Sequence, residues 1–124
     1  MTENNEINGV LVVDDDNSIR QLVGSALSRA GFNVTLAANG RIGVEHVRAA
    51  TRPFGLILMD HHMPEMDGLK ACRVMRSCAP DTPIIMMSTD QLSPVVREAG
   101  ADDFLPKPFA IRELINCINK HIDS

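Results

Sequence analysis

Apolar residues follow two alternating rhythms along the chain. Val10-Leu11-Val12-Val13 is a short run, apolar throughout and rich in β-branched residues, that stops at Asp14-Asp15-Asp16-Asn17. A run of this kind fits a strand buried on both faces, as in a parallel sheet. Ile19, Leu22, Val23, Ala26, Leu27 and Ala30 then recur at helical spacing, with Asp16 or Asn17 as N-cap and Gly31 as the stop. Phe32 to Ala37 reads as a second strand. Asn39-Gly40 reads as a turn, and Val44, Val47 and Ala50 mark a short second helix broken by Pro53. Leu56-Ile57-Leu58-Met59 is a third buried strand ending at Asp60, followed by a loop over residues 61–68. Leu69, Cys72 and Met75 share one face of a third helix. Ile84-Ile85-Met86-Met87 is a fourth strand, ending at Ser88-Thr89.

Ser93-Pro94 pairs an N-cap with proline at the first helical position, and Gly100 closes the helix they open. That fourth helix is short, and residues 89–99, beside the polar strand end, are expected to be the most mobile part of the domain. Asp103-Phe104-Leu105 is a fifth strand, and Ile111, Leu114, Ile115, Ile118 and Ile122 stripe the last helix. Five strands alternating with five helices predict a (βα)5 chain, a doubly wound α/β fold with helices on both faces of a five-stranded parallel sheet. Residues 1–8 read as a flexible polar leader and residues 9–124 as one domain.

Composition narrows the function. The 124 residues carry 12 Lys plus Arg against 16 Asp plus Glu, a net charge of -4, which speaks against nucleic-acid or anionic-membrane binding. Trp and Tyr are absent, so base-stacking platforms are not expected. No apolar run spans a bilayer, and the polar start lacks a signal peptide's features, so the expected location is cytoplasmic. Cys72, Cys78 and Cys117 are odd in number and lack metal-ligand spacing among themselves; they read as reduced thiols that mostly pack.

The polar residues converge by position. Asp14 and Asp15 follow the first strand, Asp60 ends the third, Ser88 the fourth, and Lys107 follows the fifth. In a parallel sheet these ends share one edge, where open α/β sheets bind ligands. Three carboxylates repel one another, Lys107 offsets one charge, and a divalent cation would offset two. Carboxylates, water and a backbone carbonyl suit Mg2+. A metal, an ammonium and a hydroxyl beside a carboxylate nucleophile are the equipment of phosphoryl transfer.

Four segments carry a family resemblance: Val12-Val13-Asp14-Asp15; Met59-Asp60-His61-His62-Met63-Pro64-Glu65-Met66-Asp67-Gly68; Pro83-Ile84-Ile85-Met86-Met87-Ser88; and Gly100-Ala101-Asp102-Asp103-Phe104-Leu105-Pro106-Lys107-Pro108-Phe109. Together they closely resemble the receiver domain of two-component response regulators, over about residues 9–122. The resemblance implies the flavodoxin-like strand order 2-1-3-4-5. It implies that Asp60 is the phosphoacceptor, and that Asp14, Asp15, Asp60 and the backbone carbonyl of His62 hold Mg2+. Lys107 would contact the phosphoryl group, and Lys107–Pro108 would be a cis bond. Ser88 and Phe104 would be the switch pair, a hydroxyl and an aromatic ring that turn toward the site on activation. The implied donor is a sensor histidine kinase or a histidine phosphotransfer protein, and the implied output is an effector domain or a downstream protein. The domain would catalyse only its own phosphorylation and dephosphorylation, with no separate substrate to turn over.

Three details depart from the commonest family pattern. Thr89 stands where a small residue is usual, His61 and His62 follow the phosphoacceptor, and the Ser88-to-Gly100 interval is about one helical turn short. The two histidines read as loop residues bordering the site, because adjacent residues rarely chelate together. The rival is a haloacid-dehalogenase-type phosphatase with Asp14 as nucleophile, imitated by Asp14-Asp15-Asp16-Asn17-Ser18. Against it, Lys107 follows the Asp102-Asp103 pair instead of preceding it, and that pair begins a strand instead of ending one.

Overall fold

The computed structural model describes residues 9–61, 63, 66–89 and 97–122. The strands are β1 (Gly9–Val13), β2 (Asn33–Ala37), β3 (Leu56–Asp60), β4 (Ile84–Ser88) and β5 (Asp103–Pro106). Between and after them run α1 (Asn17–Arg29), α2 (Gly40–Ala49), α3 (Gly68–Cys78) and α4 (Ile111–Ile122). All strand pairings are parallel, in the order β2-β1-β3-β4-β5. The doubly wound fold and the 2-1-3-4-5 order are therefore both present. Most of the short fourth helix, with Ser93 and Pro94, falls outside the described residues. Of its end, residues 97 and 98 are helical, and Gly100 follows at a φ of 105°.

Strand alternation sorts the apolar runs into two cores. Leu11, Val13, Ile57, Met59, Ile84 and Met86 meet Val44 of α2 and Ala71, Cys72 and Met75 of α3 on one face. Val10, Val12, Leu56, Leu58, Ile85 and Met87 meet Val23 and Leu27 of α1 and Leu114, Cys117 and Ile118 of α4 on the other. Both layers are needed because every residue of β3 and β4 is buried.

Several local features refine the sequence reading. Asp16 is the N-cap of α1, accepting from the Ile19 N–H at 3.1 Å. Asn39-Gly40 is a helix start, not a turn: Asn39 accepts from the Ile42 N–H at 2.8 Å. Gly68 likewise belongs to α3, whose N-cap Asp67 accepts from the Lys70 N–H at 2.9 Å. Leu22, placed on the apolar stripe of α1, is 57% exposed. One tie was not foreseen. The Arg76 guanidinium donates to the carbonyls of Gly100 (2.8 and 3.0 Å), Pro80 (3.0 Å) and Thr82 (2.8 Å), and to Asp102 Oδ2 at 2.6 Å. Asp102 Oδ2 also accepts the Ile84 N–H at 2.9 Å, so this cluster holds the amino-terminal start of β4.

Candidate functional site: a carboxylate pocket at the carboxyl edge of the sheet

The ladder continues one residue past the strands and fixes where the polar side chains begin. The Asp14 N–H donates to the Ala37 carbonyl (3.1 Å), the His61 N–H to that of Met87 (3.1 Å), and the Lys107 N–H to that of Ser88 (2.8 Å). Asp14 is fully buried, Asp60 is 6% exposed and Ser88 2%, while Asp15 faces solvent. Asp14, Asp15 and Asp60 each offer an oxygen, and these atoms lie within 4.8 Å of one another.

Lys107 reaches back over the edge into this group. Its Nζ donates to Asp60 Oδ1 at 2.7 Å and to Asp14 Oδ2 at 3.3 Å. Asp14 Oδ1 takes the Asp16 N–H at 2.9 Å, and the Asp14 carbonyl takes the Arg20 guanidinium at 2.7 Å. Burial pushes the Asp60 carboxyl above its ordinary value; the Lys107 hydrogen bond works against this and the Asp14 charge adds to it. Burial also works against the charged Lys107, but Asp60 and Asp14 outweigh it and raise the ammonium above its ordinary value. Gly68, the first residue of α3, packs tightly against the end of β3. The Gly68 N–H donates to the His61 carbonyl at 2.8 Å, and a Cβ on Gly68 would overlap the Asp60 carbonyl oxygen.

The structure thus brings together Asp14, Asp15, Asp60 and Lys107. Ser88 ends the adjacent strand. Phe104 is half-buried in mid-β5, packed against the core face formed with α2 and α3. His62 lies outside the described residues. Lys107–Pro108 is cis. Three carboxylates facing one ammonium leave two negative charges to offset. All the donors are hard oxygens, and one of the three carboxylates is open to water. That donor set fits Mg2+, which keeps several of its own waters and takes one or two carboxylates. Among the described residues no helix is long and apolar enough to cross a membrane.

A parallel five-stranded α/β domain with a carboxylate–lysine pocket at its carboxyl edge is built to handle a small, highly charged ligand at that edge. Residues 10–119 match the family model of the response regulator receiver domain, and the chain belongs to that family. Domains of this family are phosphorylation-activated switches of two-component systems. Response regulator MprA of Mycolicibacterium vanbaalenii is 44% identical over 109 residues, covering 86% of this chain and 46% of that protein. The chain spans about half the length of the curated relatives it matches. Among solved structures, a chemotaxis protein of Vibrio cholerae superposes with a TM-score of 0.85 at 34% identity, covering 91% of this chain and 97% of that one. The receiver domain of a Pseudomonas aeruginosa sensor histidine kinase superposes with a TM-score of 0.86 at 30% identity, over 94% and 98% of the two chains. That structure holds a magnesium ion coordinated in its active-site cleft. The phosphatase alternative finds no support: the family is another one, and Asp103 begins β5 with Lys107 after it.

Proposed function

We propose that Asp60 accepts a phosphoryl group, with Asp14, Asp15, Asp60 and the backbone carbonyl of His62 holding Mg2+ beside it. The observation that carries this reading is the meeting of three carboxylates and the Lys107 ammonium, drawn from three strand ends, in one edge pocket. An Asp60 carboxylate oxygen attacks the phosphorus of a phosphohistidine or small acyl phosphate. The new O–P bond forms as the donor's N–P or O–P bond breaks in line, and the donor leaves with the electron pair. Lys107 exchanges its bond to Asp60 for the incoming phosphoryl oxygens. Bound Mg2+ supplies the two positive charges that the carboxylates lack a partner for. Water later attacks the same phosphorus and restores Asp60, so no separate substrate is turned over.

The Ser88 hydroxyl, at the end of the strand beside Asp60, turns to a phosphoryl oxygen, and Phe104 repositions in the same event. The donor in this reading is a sensor histidine kinase or a histidine phosphotransfer protein in the cytoplasm. The output is an effector domain or downstream protein, without direct nucleic-acid or membrane binding by residues 9–124. Treatment with an acyl phosphate, with and without Mg2+, followed by intact-mass measurement and peptide mapping, tests the chemistry. One Mg2+-dependent phosphoryl group on Asp60 is expected; labelling at Asp14 would overturn the assignment.

A further inference from the structure

The amino-terminal end of β5 carries a second convergence of metal-ligand atoms, unused by phosphoryl transfer. Asp103 opens β5, while Cys117 and His121 lie four residues apart on one face of α4. The Cys117 thiol donates to Asp103 Oδ2 at 3.6 Å, and His121 Nε2 lies 2.9 Å from the same oxygen. The three ligand atoms all fall within 4.8 Å of one another. Cys117 is buried, and Asp103 and His121 are half-buried, so the cluster has a dry floor and an open mouth.

The geometry points to a binding site for a borderline-soft divalent cation of the Zn2+ class, held by Asp103 Oδ2, Cys117 Sγ and His121 Nε2. The donor set decides the class. One thiolate, one imidazole and one carboxylate match zinc, whereas Mg2+ avoids sulfur and nitrogen. Bond lengths of about 2.0–2.3 Å around a tetrahedral ion require ligand atoms roughly 3.3–3.8 Å apart. The Asp103–Cys117 separation already meets this, and the Asp103–His121 pair must open by a few tenths of an ångström. A water fills the fourth position at the mouth.

Binding is balanced in protons: the Cys117 thiol releases its proton to solvent as the S–metal bond forms, and neutral His121 carries its ring proton on Nδ1. Lys120 Nζ, 3.6 Å from Asp103 Oδ2 on a side chain 69% exposed, gives up its ion pair and turns to water. Asp103 Oδ1 keeps the N–H of Phe104, 2.8 Å away, so the ion would tie α4 to the residue next to the proposed switch ring.

Titration of the whole chain with Zn2+ under reducing conditions, in excess Mg2+ to fill the oxygen pocket, tests the site. A parallel titration with Co2+ reads thiolate ligation by its charge-transfer absorption. One Zn2+ per chain and one such band are expected. Cys117→Ser should abolish the band, and His121→Ala should weaken Zn2+ binding by more than about tenfold. Asp60→Asn and Cys78→Ser should change neither. Should Cys117→Ser fail to fold, His121→Ala, at the half-buried end of α4, decides the matter alone. The proposal is overturned if wild type binds no Zn2+, if the band survives Cys117→Ser or disappears with Cys78→Ser, or if His121→Ala binds as tightly as wild type.

Discussion

β5 ends in two charged clusters that use similar side chains to opposite effect. At its carboxyl end Lys107 reaches two carboxylates from other strands, and the pocket keeps an excess of negative charge. At its amino end a single carboxylate, Asp103, has Lys120, His121 and the Cys117 thiol as neighbours, so polar partners outnumber the acid. The first arrangement is short of two positive charges; the second pairs its one carboxylate with one ammonium and sets a thiol and an imidazole beside it. Local charge alone therefore does not mark a reactive site. What distinguishes the carboxyl end is that two of its acids, Asp14 and Asp60, come from neighbouring strands and are buried.

The largest expected effect separates the two ends outright. Asp60→Asn should eliminate acyl-phosphate labelling, while Asp103→Asn should leave the labelled fraction and its rate within about twofold of wild type, since it lies at the far end of β5. Intact-mass measurement reads both, and loss of label in Asp103→Asn would erase the distinction. Next, Asp15→Asn removes the exposed carboxylate of the triad; at limiting Mg2+ the labelling rate should fall by more than about tenfold, with the unfolding midpoint in Mg2+-free buffer nearly unchanged. A rate that saturates at the wild-type Mg2+ concentration would take Asp15 out of the ion's reach.

Lys107→Ala should lower stability in Mg2+-free buffer by about 3 kcal/mol, because fully buried Asp14 and nearly buried Asp60 lose their ammonium. Added Mg2+ should recover part of that loss, and phosphorylation should proceed without the spectral changes near Ser88 and Phe104 expected in wild type. Urea melts with and without Mg2+ measure the first, and NMR shifts of the labelled protein the second.

The smallest effect is a pH dependence belonging to neither end. Burial pushes the Cys72 thiol up to about 11 from an ordinary 9.0, with Arg76 lowering it and Asp102 raising it. The folded chain keeps a proton that the unfolded chain surrenders first. That stabilisation is complete below about pH 9 and is lost as pH rises through 11, just under about 3 kcal/mol in all. Cys72→Ala should flatten this stretch of the stability profile; an unchanged slope would show that Cys72 does not titrate there.

Much of this was legible in the sequence, because strands buried on both faces and the polar residues at their ends are local patterns. Asp14, Asp15, Asp60, Ser88 and Lys107 could be placed on one edge from parallel topology alone. The helix starts at Asn39 and Asp67 were harder, since Asn-Gly and Asp-Gly signal turns as well as caps. Leu22 fits the helical period yet points to water, because the period sets a face and not its width. Exposure of Asp15 beside buried Asp14 follows from where the strand stops. The Asp103–Cys117–His121 cluster had one local sign, the four-residue spacing of Cys117 and His121, which counting cysteines only against each other concealed. The Arg76 contacts had none, since their acceptors are backbone carbonyls that only the folded chain assembles.

Arg76 has a mechanical meaning for the chain between β4 and β5. Ser88 ends β4 at the pocket edge, and Gly100, three residues before β5 begins, has its carbonyl moored to α3 by two guanidinium bonds. The same guanidinium holds Asp102, the residue before β5, so the entry to that strand is tied to α3 at two points. Cutting these ties, as in Arg76→Ala, would leave the start of the strand that carries Phe104 held to β4 without α3, a loosening that amide exchange along β5 would read.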